Sequence, residues 1–195
     1  MNKGRLEAFS DGVIAIIITI MVLDLKVPEA FEAAALRSVL PALSGYLLSF
    51  VYVGIYWNNH HHLFQAVRQV NGRILWSNLH LLFWLSLIPF ASRMMSESGF
   101  AAWPVALYGV VLLLAAVAYY VLTRSLLSHH GRDSALATAI GTDFKGKVSL
   151  LFYVAAIPLS FAARWLACAL YVAVAVVWLI PDRRIERALA ERPSS

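Results

Sequence analysis

Charge and sulfur are what this chain has least of. Only 14% of its 195 residues are charged, against about 25% in a soluble domain. So little charge cannot clothe a water-facing surface, which excludes a soluble globular protein. The single cysteine, Cys168, lies in the apolar run "LACALYVAVAVVWL", so an internal disulfide is excluded and a cysteine-based metal centre has no ligands. No phosphate-binding glycine loop occurs, and no span carries arginine at every third position as a voltage sensor does. The sequence Thr-Val-Gly-Tyr-Gly is absent too; the nearest fragment is "SGYLL" at Ser44–Leu48, so a backbone-carbonyl ion filter is not supported. No small-x-small cleavage pattern follows the first apolar run, so that run is expected to be a retained span and not a leader.

Hydrophobic residues make up 61% of the chain, and the mean hydropathy is +0.71. A helix needs ~20 mostly apolar residues to cross a bilayer. Six stretches meet that need, at about 6–25, 39–63, 74–94, 103–127, 148–162 and 164–180. The last two are separated only by "AAR" and are expected to form a tight hairpin. Pro89 and Pro158 are expected to kink their helices. The expectation is an all-α polytopic membrane protein, one unit over 1–195 with no separate soluble domain. The polar 4–5 connection leaves room for a short helix over Ser134–Ile140, and the tail beyond Pro181 reads as a charged helix or a frayed end.

Basic residues orient the spans. Lys3, Arg5, Arg68, Arg73, Arg124, Arg132, Lys145, Lys147, Arg183, Arg184, Arg187 and Arg192 fall on one side of a six-span arrangement. Lys26, Arg37, Arg93 and Arg164 fall on the other. Twelve against four places both termini in the cytoplasm of a plasma-membrane protein. The net charge of +5 thus reflects topology, and nucleic-acid binding has no separate basic face to use.

The opening stretch "RLEAFSDGVIAIIITIMVLDL" is the most informative. Phe9, Val13, Ile16, Ile20 and Leu23 follow a 4-3-4-3 spacing that keeps them on one stripe of a helix. Such a stripe alone also marks ordinary packing or lipid contact. Asp11 lies nearly opposite it, well inside the span, where a carboxylate costs a few kcal/mol and is a structural lock or part of a pathway. Ser10 beside it can help hold the carboxylate, whereas Asp24, at the outer boundary beside Lys26 and Pro28, is expected to be solvated.

These residues resemble the first-helix signature of the transmembrane-protein-175 family, the lysosomal potassium channels and their prokaryotic relatives. The hallmark is an arginine four residues before Phe-Ser-Asp, here Arg5, Phe9, Ser10 and Asp11, followed by Gly12, Ile16, Thr19 and Ile20. "YWNNHHHLF" and "RILWSNLHLLFWLSLIPF" resemble the family's second-helix end and third helix, so the likeness is close over the first half of the chain. The resemblance implies a channel for potassium over sodium, not an enzyme, with no cofactor beyond the permeant ion. It implies that Ile16, Ile20 and Leu23, with the Thr19 hydroxyl, form an apolar constriction on the first helix of each subunit. One such helix cannot enclose a pore, so a homotetramer in the bilayer is expected. The resemblance further implies that Trp57, Asn59 and His60 hydrogen-bond around Ser10 and Asp11, with Arg5 able to join.

Other readings of the same residues stay open. His60, His61 and His62 invite a metal reading, but consecutive helical side chains point ~100° apart and cannot converge on one ion. An interfacial aromatic and histidine patch is the plainer alternative. Asn78 and His80 read as helix–helix contacts. The competing function is a secondary transporter using Asp11 and a histidine as a proton relay, though inverted repeats are not visible and no span carries the paired Gly or Pro that break such helices at mid-membrane.

Overall fold

The computed structural model describes residues 2–28, 33–67, 69–130 and 144–179, all of them helical or in turns and short links. The possible helix at Ser134–Ile140 and the tail beyond Pro181 lie outside the described residues. The helices are α1 (Lys3–Val22), α2 (Ala33–Gln65), α3 (Gly72–Ser86), α4 (Ile88–Glu97), α5 (Ala102–His130), α6 (Phe144–Ala162) and α7 (Arg164–Leu179). Four stretches are long and apolar enough to cross a membrane: Arg37–Gln65, Gly72–Glu97, Ala102–His129 and Phe144–Ala162. α1 is comparable in length, but Lys3, Arg5, Glu7 and Asp11 crowd its first half.

Local chemistry sets the ends. Asn2 caps α1 by accepting from the Gly4 amide at 3.0 Å, and Asn71 caps α3 by accepting from the Ile74 amide at 3.0 Å. The third expected span is not one helix. It breaks at Leu87 because Pro89, near the start of α4, lacks an N–H and its ring clashes with the carbonyl four residues back. α4 turns into α5 through Gly99 and Phe100, both at positive φ (61° and 60°). Glycine adopts this freely; Phe100 is held there while its ring packs on Trp165 at 5.4 Å between centroids. The link between α6 and α7 is Ala163 alone.

Successive helices run antiparallel, with α3 and α4 sharing one direction, and α5 lies at the centre against α3, α4 and α6. The core has a tyrosine hub. Tyr52 donates to the Tyr171 carbonyl at 2.6 Å, Tyr171 donates to the Val105 carbonyl at 3.1 Å, and Tyr108 shares a 3.0 Å hydrogen bond with Ser49. With their hydroxyls paired, the rings can be buried at little polar cost. Gly109 is what lets the Tyr171 hydroxyl approach α5, since a methyl group there would collide with it.

Candidate functional site

α1 has two unlike faces. Leu6, Ser10, Ile14, Ile17 and Met21 are buried against the bundle. Phe9, Ile16, Ile20 and Leu23 lie on the surface of the single subunit, 53%, 63%, 49% and 79% exposed. Arg5, Gly12 and Thr19 are exposed with them. Arg5, Phe9, Gly12, Ile16, Thr19 and Leu23 recur at 4-3-4-3-4 spacing, so Thr19 is in register with the exposed row. Val13, which the sequence put on the stripe, is half-buried and packs on the core. The Thr19 hydroxyl donates to the carbonyls of Ala15 and Ile16, at 2.9 and 3.1 Å. Its oxygen is thereby fixed to the helix with lone pairs still available.

The inner face is pinned by polar groups from two other helices. The Trp57 indole N–H on α2 donates to Asp11 Oδ1 at 3.1 Å. Asn78 on α3 donates to Ser10 Oγ at 2.9 Å, and its Oδ1 lies 2.8 Å from His60 Nε2. An amide oxygen only accepts, so Nε2 of His60 carries the proton. Ser10 donates in turn to the Leu6 carbonyl at 2.9 Å. Ser10, His60 and Asn78 are essentially sealed from solvent, which makes this chain of bonds a fixed link between α1, α3 and α2.

The sequence-derived site residues therefore separate into groups. Trp57 reaches Asp11 directly, and His60 reaches Ser10 only through Asn78. Ser10 does not hold Asp11. Asn59 bonds the Ile55 carbonyl of its own helix at 2.8 Å and touches α1 nowhere in this network. Among the described residues, Arg5 has no carboxylate within ion-pair distance; Glu7 pairs instead with Lys3 at 3.7 Å. Asp24 is not simply solvated: Arg93 on α4 grips it at 3.0 Å while also reaching Glu97 at 3.1 Å. α1 is thus tied near its middle and just past its C-terminal end. Asn78, which reads from the sequence as a helix–helix contact, is one, and what the sequence does not name is its partners, Ser10 and His60; an amide in an apolar span must find such partners. His60 and His61 part, His60 to Asn78 and His61 to Gln65, each at 2.8 Å. No group of three or more His, Cys, Asp or Glu comes together among the described residues.

A helical bundle of this kind, with several apolar spans and a polar-anchored first helix, defines a multi-pass membrane protein. Residues 5–89 match the family described as endosomal/lysosomal potassium channel TMEM175. A protein named potassium channel from Chryseobacterium sp. (strain P1-3) is 56% identical over 191 residues, 98% of this chain and 100% of that one. The human protein named endosomal/lysosomal proton channel TMEM175 is 35% identical over 116 residues, 53% of this chain and 23% of its own length. The crystal structure of a lysosomal potassium-selective channel TMEM175 homolog from Chamaesiphon minutus superposes with a TM-score of 0.77. It is 30% identical and covers 91% of this chain and 96% of its own. The chain belongs to the TMEM175 family.

Proposed function

We propose that the chain is the subunit of a potassium-permeable channel that favours potassium over sodium, and that four copies place their α1 helices around one axis. The observation that carries this reading is the exposed row Phe9, Ile16, Ile20 and Leu23, on a helix whose opposite face is committed to the bundle. The names of the bacterial relatives support the ion. In this reading the chain crosses the plasma membrane six times with both termini cytoplasmic, and it needs no cofactor.

Ile16, Ile20 and Leu23 form successive apolar rings along the pore. Such rings gate by dewetting, since a small loss of radius expels water and with it the ion's hydration. Potassium gives up its shell more readily than sodium, so a tight apolar neck favours it, and the Thr19 oxygens replace part of what is lost. Trp57, Ser10, Asn78 and His60 set the tilt of α1 and hence the radius of the rings. Asp11 is an anchor here and not a pore-lining acid.

Potassium and sodium flux into liposomes carrying the purified protein tests this reading, with Ile16→Asn beside the native chain. Potassium-favouring native flux is expected, and the asparagine wets the neck, raising flux and lowering selectivity. No flux from either form, in well-folded oligomers, overturns the channel. The name of the human relative favours a second permeant ion, the proton, and a pH-sensitive dye in the same liposomes reads it. The proton-relay transporter is disfavoured because His60 Nε2 is engaged by Asn78 and Asp11 by an indole, which cannot pass a proton on.

A further inference from the structure

A cavity of about 270 Å³ lies between α2, α5, α6 and α7, away from α1. This is close to the ~300–1,000 Å³ of small-molecule sites. Tyr52, Tyr56, Tyr119, Tyr153 and Trp178 wall it, and Lys147 stands at its rim, exposed. The polar tips of the walls are largely spent on the protein. The Trp178 indole N–H donates to Ser149 Oγ at 2.8 Å, and the Tyr119 hydroxyl donates to the Asn59 carbonyl at 3.3 Å. What the cavity offers is therefore ring carbon inside and an ammonium outside. Among the described residues none of its lining side chains is acidic. It opens where α2, α5 and α7 end and α6 begins, the same end of the bundle that carries Lys3, Arg73, Arg124 and Lys145. Tryptophan and tyrosine favour the boundary between acyl chains and headgroups, and lysines there attract anionic headgroups.

The geometry points to a binding site for an anionic amphiphile: an acyl chain between the tyrosines, with its phosphate or carboxylate head on Lys147. The site shares a wall with the pore-helix anchor. Tyr56 and Asn59 line the cavity, while Trp57 and His60, each one residue further along α2, hold α1. An occupant braces α2 from behind and so biases the tilt of α1. This regulatory half rests on the channel reading; the binding half does not.

The test uses the full chain in phosphatidylcholine liposomes, with bromine on the acyl chains of either phosphatidylglycerol or phosphatidylcholine at equal fraction. Brominated stearate is added in a third set. Quenching of Trp178 is taken as the difference between the native protein and Trp178→Phe. Brominated phosphatidylglycerol or stearate is expected to quench at concentrations about fivefold lower than phosphatidylcholine, the worth of one lysine at an anionic headgroup. Whichever of the two does so names the source. Lys147→Gln should abolish that preference, and Ala116→Phe, which fills the cavity, should weaken quenching by every lipid. Equal quenching by all three lipids, unmoved by Lys147→Gln, means boundary lipid only and overturns the site. Should Ala116→Phe fail to fold, the surface variant Lys147→Gln decides alone. Potassium flux read in the same liposomes should shift with the anionic lipid in the native protein and not in Lys147→Gln. Unchanged flux overturns the coupling. Absent flux with quenching intact sinks the channel reading and leaves the binding site standing.

Discussion

Asn78 shows how much one side chain can hold. It accepts from His60 and donates to Ser10, with all three groups buried. Asn78→Ala leaves the His60 N–H without its acceptor, while Ser10 keeps its bond to Leu6. The expected cost is about 1–2 kcal/mol, below the soluble-protein maximum because an unfolded chain in lipid also finds partners. In detergent this should lower the unfolding midpoint by several degrees, and an unchanged midpoint would show that the amide is not a link. Trp57→Phe tests the other anchor. It keeps an aromatic ring beside His61, now 6.0 Å between centroids, and removes only the N–H to Asp11. Trp57 is 44% exposed, so little stability should be lost. Potassium flux should change nonetheless, because one of the bonds that set the tilt of α1 is then gone. Flux equal to native would detach the Trp57–Asp11 bond from the pore.

At the scale of elements, helix contacts depend on where small residues stand. Gly109 gives the Tyr171 hydroxyl its place against α5. Gly109→Ala should push α7 off α5 and cost about 1–3 kcal/mol, as overpacking does. Gly54→Ala is its control. Among the described residues nothing lies within 4 Å of a Cβ there, and alanine is the better helix former. A midpoint that falls for both variants, or for neither, would reject the packing explanation. The Leu87 break is a second case. Arg93, on α4 beyond that break, meets Asp24, so the C-terminal end of α1 is secured by a different helix from the one that secures Ser10.

For the whole molecule, the exposed apolar rows raise the question of what covers them. α1 carries one, and α2 carries another, with Leu40, Leu43, Leu47 and Phe50 all exposed at 3-4-3 spacing. In a membrane either lipid or another subunit satisfies such surface. A tetramer predicts a detergent-corrected mass by light scattering of four times the 21.6 kDa chain; a monomer would leave α1 facing lipid and no pore. Orientation is open to a separate check. With Cys168→Ala as background, single cysteines at Asn2 and Ser195 should both be labelled only from the cytoplasmic side. Labelling from opposite sides would mean an odd number of spans.

Much of this protein follows from its order of residues. A bilayer admits few solutions, so hydropathy marks the spans and the imbalance of lysine and arginine suggests how they face. Helical spacing finds the row through Phe9, Ile16, Ile20 and Leu23 without any partner, because a helix fixes which of its own residues share a face. Partners across helices are another matter. Asp11 meets Trp57 across 46 positions, Asp24 meets Arg93 across 69, and Tyr52 reaches the Tyr171 carbonyl across 119. No spacing within one helix encodes those meetings, which is why Asp24 reads as solvated and why Asn78, rightly read as a helix–helix contact, is given no partner. The tyrosine hub is invisible for the same reason, its three rings coming from three different helices. Which polar groups pair inside the bundle is decided by the mutual rotation of packed helices, and only the tertiary structure sets that rotation.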